Sequence, residues 1–440
     1  MHGSRTKLAV IAAAAVMLLA LLALAFITPD VRVRTAGAGK TPAFCAQYVN
    51  LPVQVPGLTR VVAIDSYIDE LVAVDAHGRL WTYFQGWQCQ KAKPKLLFPG
   101  KPFDAEVPDV KAIAAVSSGN GGQVALADDG RMLQWLTPLG GGCASGEARC
   151  GLVKVVDIPS VRQIASGYYY ALALDGSGNV WSSGYNDCGQ LARPDGLYPR
   201  DPWRPPRAEW GQVRSIAGVT SIAAGFKNSI ALKADGTVWQ WGVMNEPYIE
   251  AEMRPGMPAN HVYCHYTTRV NGQDAPGVQP QIKPTKVPGL SKVVAISTHY
   301  AFALALKSDG SVWGWGHDDC GQLGRVPPNP VNNIIDEPVR IDGLPSIVSI
   351  AAGKRHALAL DRTGQVWGWG YNDNTETGSD TFAHEAGVLC VADHAQPDLA
   401  GYRVRPVAVK GLGHVVAIAA GDNLSAALTD SGRVWVWGIH

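Results

Sequence analysis

The densest cluster of reactive side chains in the chain is VWGWGHDDCGQLG, residues 312–324, where His317, Asp318, Asp319 and Cys320 follow two tryptophans. An imidazole, two carboxylates and a thiol at four successive positions are the types required for a thiolate nucleophile with its base, or for a metal site. Residues 180–192 read VWSSGYNDCGQLA, with Asp, Cys, Gly, Gln and Leu at the same spacing. The duplication leaves two readings, a site present twice or a scaffold element used twice. On the second, Asp187, Asp318 and Asp319 cap the turn that leaves a strand, because Asp side chains accept from nearby backbone N–H groups. A rival metal set, His261-x-x-Cys264-His265, lacks an evident fourth ligand. No G-x-S-x-G, P-loop or H-E-x-x-H pattern occurs. No catalytic residue, cofactor or metal is therefore expected.

Composition narrows the partners. Lys+Arg 38 against Asp+Glu 37, with charged residues only 17% of the chain, gives no basic field of the kind that neutralises nucleic-acid phosphates. His2, Arg5 and Lys7 precede LAVIAAAAVMLLALLALAFI, residues 8–27, an apolar run long enough to span a bilayer as a helix. Residues 1–40 are read as a signal peptide or signal anchor, with small-x-small cleavage patterns at Ala23-Leu24-Ala25 and Ala36-Gly37-Ala38. Either way residues 41–440 are expected outside the cytoplasm, periplasmic or secreted, touching the membrane only through an uncleaved N-terminal segment.

The positioning elements come from an internal repeat. Strand-like alternation, an Asp/Gly turn and a Val/Trp strand recur in LVAVDAHGRLWTY (71–83), VALADDGRMLQW (124–135), ALALDGSGNVWSSG (171–184), IALKADGTVWQWG (230–242), ALALKSDGSVWGWG (303–316), ALALDRTGQVWGWG (357–370) and AALTDSGRVWVWG (426–438). Each is a β-hairpin by period-2 patterning and turn chemistry. Trp239 and Trp241, two apart, share a face that is expected to be buried. Upstream, PTKVPGLSKVVAI (284–296) and PVAVKGLGHVVAIAAG (406–421) add two strand signals per copy. Four short strands in units of roughly 50 residues, seven times over, predict an all-β seven-bladed propeller rather than a stacked solenoid. Long insertions are expected near 193–214, 243–283 and 371–405. The chain stops at VWVWGIH, so blade borders either coincide with repeat borders or are offset, with residues 50–58 completing the last blade.

The pattern A-A-G-x-x-H-A-L-A-L-x-x-x-G-x-V-W-x-W-G-x-N-x-x-G-Q-L-G, fullest at 351–378 and 303–324, resembles the regulator of chromosome condensation repeat. The resemblance covers about residues 50–440 and implies the same seven-bladed fold. It does not carry over a function. Guanine-nucleotide exchange on a nuclear GTPase suits neither the leader nor the neutral charge. The secreted bacterial propellers that inhibit β-lactamase are similar in fold and grip their target with aromatics in one repeat position. This chain lacks Trp there and adds Lys227, Lys354 and Arg355.

Two sets of residues remain. All eight cysteines follow the apolar run, and an exported chain favours disulfides. With successive blades adjacent in space, Cys188 is expected to bond Cys264 and Cys320 to bond Cys390, tethering insertions to the preceding blade. Cys143 with Cys150 and Cys45 with Cys89 complete the set. The second set lies between I-A-A-G and A-L-A-L, positions that a propeller gathers on one face beside its channel. They include Tyr67, Tyr168, Tyr169, Phe226, Lys227, His299, Tyr300, Lys354 and Arg355, expected to face solvent, while Tyr170 and His356 turn inward. Aromatics gathered with Lys and Arg have the composition of a protein-binding surface. Arg200, Trp203, Arg204 and Arg207 of the 198–210 insertion could extend it. The reading is a monomeric scaffold binding a protein or cell-envelope partner. The alternative is an envelope hydrolase or lyase, which would need three or more acidic or His groups converging at the channel mouth.

Overall fold

The alternating apolar positions make every repeat a set of antiparallel strands, each too short to bury its own faces, so neighbouring sheets must pack. The structure is a computed structural model describing residues 52–67, 70–84, 95–96, 113–117, 123–135, 153–186, 188–195, 208–244, 268–270, 273–275, 281–326, 334–372, 375–379 and 402–438. The segment 1–40, Asp187, the His261–His265 set, the arginines of 198–210 and all cysteines except Cys188 and Cys320 lie outside the described residues. Among the described residues no helix is long and apolar enough to cross a membrane.

Seven four-stranded sheets follow one another along the chain as the blades of a propeller. In the third, Val161–Ser166, Tyr170–Asp175, Val180–Gly184 and Ala208–Gln212 lie side by side from axis to rim. An additional two-stranded ladder, Thr268–Val270 with Gln273–Ala275, forms within the insertion that follows the fourth hairpin. The seventh sheet combines Val415–Ala420, Ser425–Thr429 and Val434–Trp437 with Val53–Gln54 from the start of the chain. Blade and repeat are thus offset by one strand. The P-x-x-V element that opens each repeat is the rim strand of the blade before it, and residues 53 and 54 close the ring.

The two tryptophans of V-W-x-W-G have different jobs, which corrects the expectation that both are buried on one face. The second, Trp241, Trp315, Trp369 or Trp437, is buried between adjacent blades. The first is only half-buried and braces its own hairpin turn. Trp181 Nε1 donates to Asp175 Oδ2 at 3.0 Å, and Trp367 Nε1 to Asp361 Oδ2 at 3.0 Å. Where the turn aspartate is displaced by two positions, a lysine covers the ring instead, with Lys307 Nζ 3.7 Å from the Trp313 centroid.

Every innermost strand carries a bulge after its first residue, for example between Val61 and Ala63 and between Val415 and Ala417. A bulge leaves one residue unpaired and turned out of the ladder. Hence the valine that follows the first residue of the strand is exposed: Val62, Val294, Val348 and Val416 are 44–53% accessible.

The closure predicts unequal costs for two nearby valines. Val55 is 1% exposed, packs among Val61, Leu424 and Val434, and its N–H donates to Val434 O at 2.8 Å. Val55→Asp should cost at least about 3 kcal/mol by burying an unpaired carboxylate, whereas Val62→Asp should stay within about 0.5 kcal/mol. Equal shifts in calorimetric Tm would refute the closure.

Candidate functional site

The first-to-second and third-to-fourth strand connections leave each sheet at the same end, opposite the Asp/Gly turns. One glycine fixes their approach. The last residue of V-W-x-W-G has φ between 84° and 116° in the third to seventh blades. A Cβ there would lie 2.3–2.7 Å from the carbonyl oxygen of Tyr169, Lys227, Ala301, Arg355 or Asn423. The following N–H donates to the same carbonyl, as in Tyr185 N to Tyr169 O and Tyr371 N to Arg355 O, both 2.9 Å. Any side chain would break this join.

Successive blades are stitched at the same level. Tyr168 N donates to Gly225 O at 3.2 Å, Phe226 N to Tyr300 O at 3.2 Å, and Lys354 N to Gly421 O at 3.0 Å. The side chains at this position form a continuous arc over five blades. Tyr168 and Phe226 ring centroids are 4.1 Å apart, and Phe226 and Tyr300 are 4.7 Å apart. Lys354 Nζ lies 5.5 Å from the Tyr300 ring and 3.4 Å from Asp422 Oδ2. Tyr169 and Tyr185 buttress the aromatic end, with Tyr169 4.3 Å from Tyr168 and 5.4 Å from Tyr185. Lys227 Nζ approaches Phe226 at 5.9 Å.

His299 completes the mouth. It stands where the other blades from the third onward have Gly167, Gly225, Gly353 and Gly421. Its imidazole reaches from the fifth blade to the seventh, Nε2 lying 2.9 Å from Asp422 Oδ1. Burial alone would push the Asp422 carboxyl up, but the His299 hydrogen bond and the nearby Lys354 ammonium prevail and bring it down to about 2. Neighbouring His356 has its pKa lowered to about 3, chiefly by burial, and Nε2 meets Ser425 Oγ at 2.9 Å. Beneath the arc lies a channel cavity of about 270 Å³ lined by Ile64, Ile164, Ile222, Ile296, Ile350 and Ile418 with small residues.

Most of the sequence-selected residues meet here, but not as exposed side chains. Tyr168, Tyr169, Lys227 and His299 are 8%, 7%, 4% and 7% exposed, while Phe226, Tyr300, Lys354 and Arg355 are half-buried. The connections converge too closely for the side chains to splay, so the rings stack on one another instead. Tyr67 ends an innermost strand, and its side chain is outside the described set. Tyr170 and His356 turn inward as expected. Asp422 was missed as a partner of His299; the replacement of the repeat glycine by His299 was the available signal.

The HDDC cluster is scaffold. Asp318 Oδ1 accepts from Leu323 N at 2.9 Å, as Asn186 Oδ1 does from Leu191 N and Asn372 Oδ1 from Thr377 N. His317 Nδ1 pairs with Asp319 Oδ2 at 3.2 Å. Cys188 and Cys320 are fully buried. Among the described residues no three His, Cys, Asp or Glu side chains are placed to hold a metal ion.

Asp318 carries a penalty that its asparagine counterparts avoid. Burial raises its carboxyl to about 7 despite the Leu323 N–H and Arg325 Nε 3.2 Å away. A carboxyl whose pKa is higher folded than unfolded binds its proton more tightly in the native state, so its contribution to stability falls as pH rises from about 4 through 7. Asp318→Asn should therefore raise Tm by several degrees at pH 8, on the order of 2 kcal/mol, with the gain vanishing near pH 4. A pH-independent gain would point away from ionisation.

Residues 137–440 match the family model of the RCC1-like domain. Arabidopsis thaliana RUG3, a mitochondrial RCC1 domain-containing protein, is 27% identical over 71% of this chain and 62% of its own length. The human probable E3 ubiquitin-protein ligase HERC6 is 29% identical over 63% of this chain but only 23% of its own. The chain thus spans less than two thirds of either relative. In fold it is similar to Saccharomyces cerevisiae Prp20p, at TM-score 0.64 and 16% identity over 90% of this chain and 87% of that one. Human WBSCR16 gives TM-score 0.59 and 17% identity over 89% of each chain. With the repeat, the closed ring of seven blades and the family model in agreement, the chain belongs to the RCC1-like domain family.

Proposed function

We propose that the protein is an exported propeller that binds a protein or cell-envelope partner through the face carrying the Tyr168–Asp422 arc. The observation that carries this is the contiguity of the arc. Three rings, an ammonium and a carboxylate from five successive blades touch in sequence around one opening, on a rigid closed scaffold. Stacked, half-buried aromatics lose little conformational entropy when a partner covers them. The structural study of Prp20p concerns its binding to Gsp1p and histones, and partner binding by a related propeller lends weight to the general role.

A binding role is preferred to hydrolysis because, among the described residues, the acid and imidazole that pair at the mouth are Asp422 and His299, and the Lys354 ammonium is also placed on that carboxylate. Export is supported by the basic start and apolar run of residues 1–27. The proposed pairs are Cys188–Cys264, Cys320–Cys390, Cys143–Cys150 and Cys45–Cys89, and the proposed assembly state is a monomer.

Two measurements test the reading. Partners crosslinked in envelope extract should be lost from Phe226→Ala/Tyr300→Ala and kept by Val294→Ala/Val348→Ala, which alters the opposite face. The reverse pattern would place binding on the turn face. Non-reducing peptide mapping should recover Cys188–Cys264 and Cys320–Cys390 peptides, and any other partner for Cys188 or Cys320 refutes the pairing.

A further inference from the structure

We infer that Lys354 and His299 form a receptor for a carboxylate, which Asp422 fills in the free protein. The inference rests on the arc being a binding face and names what that face takes. Asp422 is held oxygen by oxygen, Oδ1 by the His299 imidazole at 2.9 Å and Oδ2 by the Lys354 ammonium at 3.4 Å. Two donors from different blades converging on one carboxylate make a charge-assisted clamp. One of them, His299, exists only because this blade departs from the repeat glycine.

The clamp is open to a ligand. Lys354 and Asp422 side chains retain 24% and 18% exposure, and His299 lies beneath them at 8%. Asp422 sits on a short strand connection between Gly421 and Asn423, so side-chain rotation is enough to vacate the clamp without unpairing a strand. Beside the clamp, Tyr300 and then Phe226 offer half-buried rings. The ligand class that fits is a carboxylate on the same residue as an aromatic or apolar group or on the next one, as at a peptide C-terminus or on an acidic side chain beside a Phe or Tyr. Asp422 acts as a tethered competitor, so removing it should strengthen binding of such a ligand.

The test uses the full chain and three probes in ligand-observed NMR titrations. N-acetylphenylalanine has a terminal carboxylate, N-acetyl-Glu-Phe-amide a side-chain carboxylate, and N-acetylphenylalaninamide none. Asp422→Ala should bind at least one acid at least about tenfold more tightly than the unaltered protein, and whichever acid responds identifies the carboxylate source. The amide should not bind, and Lys354→Ala in the Asp422→Ala background should abolish the gain. Asp422→Asn, which preserves the shape of the connection, provides the readout if the alanine variant does not fold. Failure of both acids to bind either folded variant, or equal binding of the amide, overturns the receptor. Partner capture unaffected by Lys354→Ala but lost in Phe226→Ala/Tyr300→Ala also overturns it and leaves the binding face standing. Capture unaffected by both variants overturns the two readings together.

Discussion

The hydrogen bond from a buried indole to the blade behind it is the contact on which the ring depends. Twisted sheets set around an axis diverge toward the rim, and the gap must be filled by something large. Here the filler is the second tryptophan of V-W-x-W-G, whose Nε1 cannot be buried without an acceptor. Trp241 donates to Gln190 O, Trp369 to Gln322 O and Trp437 to Glu376 O, each at 2.8 or 2.9 Å. The acceptors are at one position of the preceding blade's exit turn, a turn held in shape by Asn186, Asp318 or Asn372. The blade before Trp315 has Met244 at the position of Asn186, Asp318 and Asn372, and Trp315 donates to the Gln240 side chain, at 2.8 Å. The cluster that first looked like a catalytic site is therefore the socket for the next blade's wedge. The Asp318 carboxylate accepts from Leu323 N, and the Cys320 N–H donates to Gln322 Oε1 at 2.8 Å, which together shape that socket.

The same constraint builds the candidate site. Once the indoles fix the spacing between blades, the first-to-second strand connections are drawn close enough for an N–H of one to reach a carbonyl of the next. The W-G glycine then locks each connection to its own third strand. A row of side chains carried on such connections has no room to behave as independent surface groups. That is why Tyr168, Phe226 and Tyr300 stack as one layer, and why Lys354 and Asp422 extend the layer as an ion pair rather than as two solvated charges.

Much of the fold was legible because the repeat prints it seven times. The hairpins follow from alternation and Asp/Gly turns, and the number of blades from counting copies. Three features were not legible, each for a physical reason. The bulge after Val61 and its counterparts interrupts the period-2 alternation for one residue, which leaves Val62 exposed. The two tryptophans share a strand face, yet the bonding needs of a turn aspartate claim the first and an inter-blade gap claims the second. The offset between repeat and blade depends on which strand pairs with the chain start, a long-range choice that local pattern does not encode. At the candidate site, the repeat position showed which connections lie side by side, but the exposure of their side chains depends on how closely those connections converge.

Departures from a repeat carry more information than its consensus, because the fold tolerates the consensus everywhere and has no structural need of the exception. Two departures in the fifth blade make the contrast. Asp318 takes an asparagine position, keeps the capping bond and gains a burial penalty, so its effect stays on the stability of one turn. His299 takes a glycine position at the mouth, where a side chain must project over the channel, and it finds its acceptor two blades away. A substitution that spans blades couples connections the scaffold otherwise leaves independent. If Asp422 is displaced, His299 and Lys354 lose their shared anion together, so events at the seventh blade are felt at the fifth and sixth without any strand having to move.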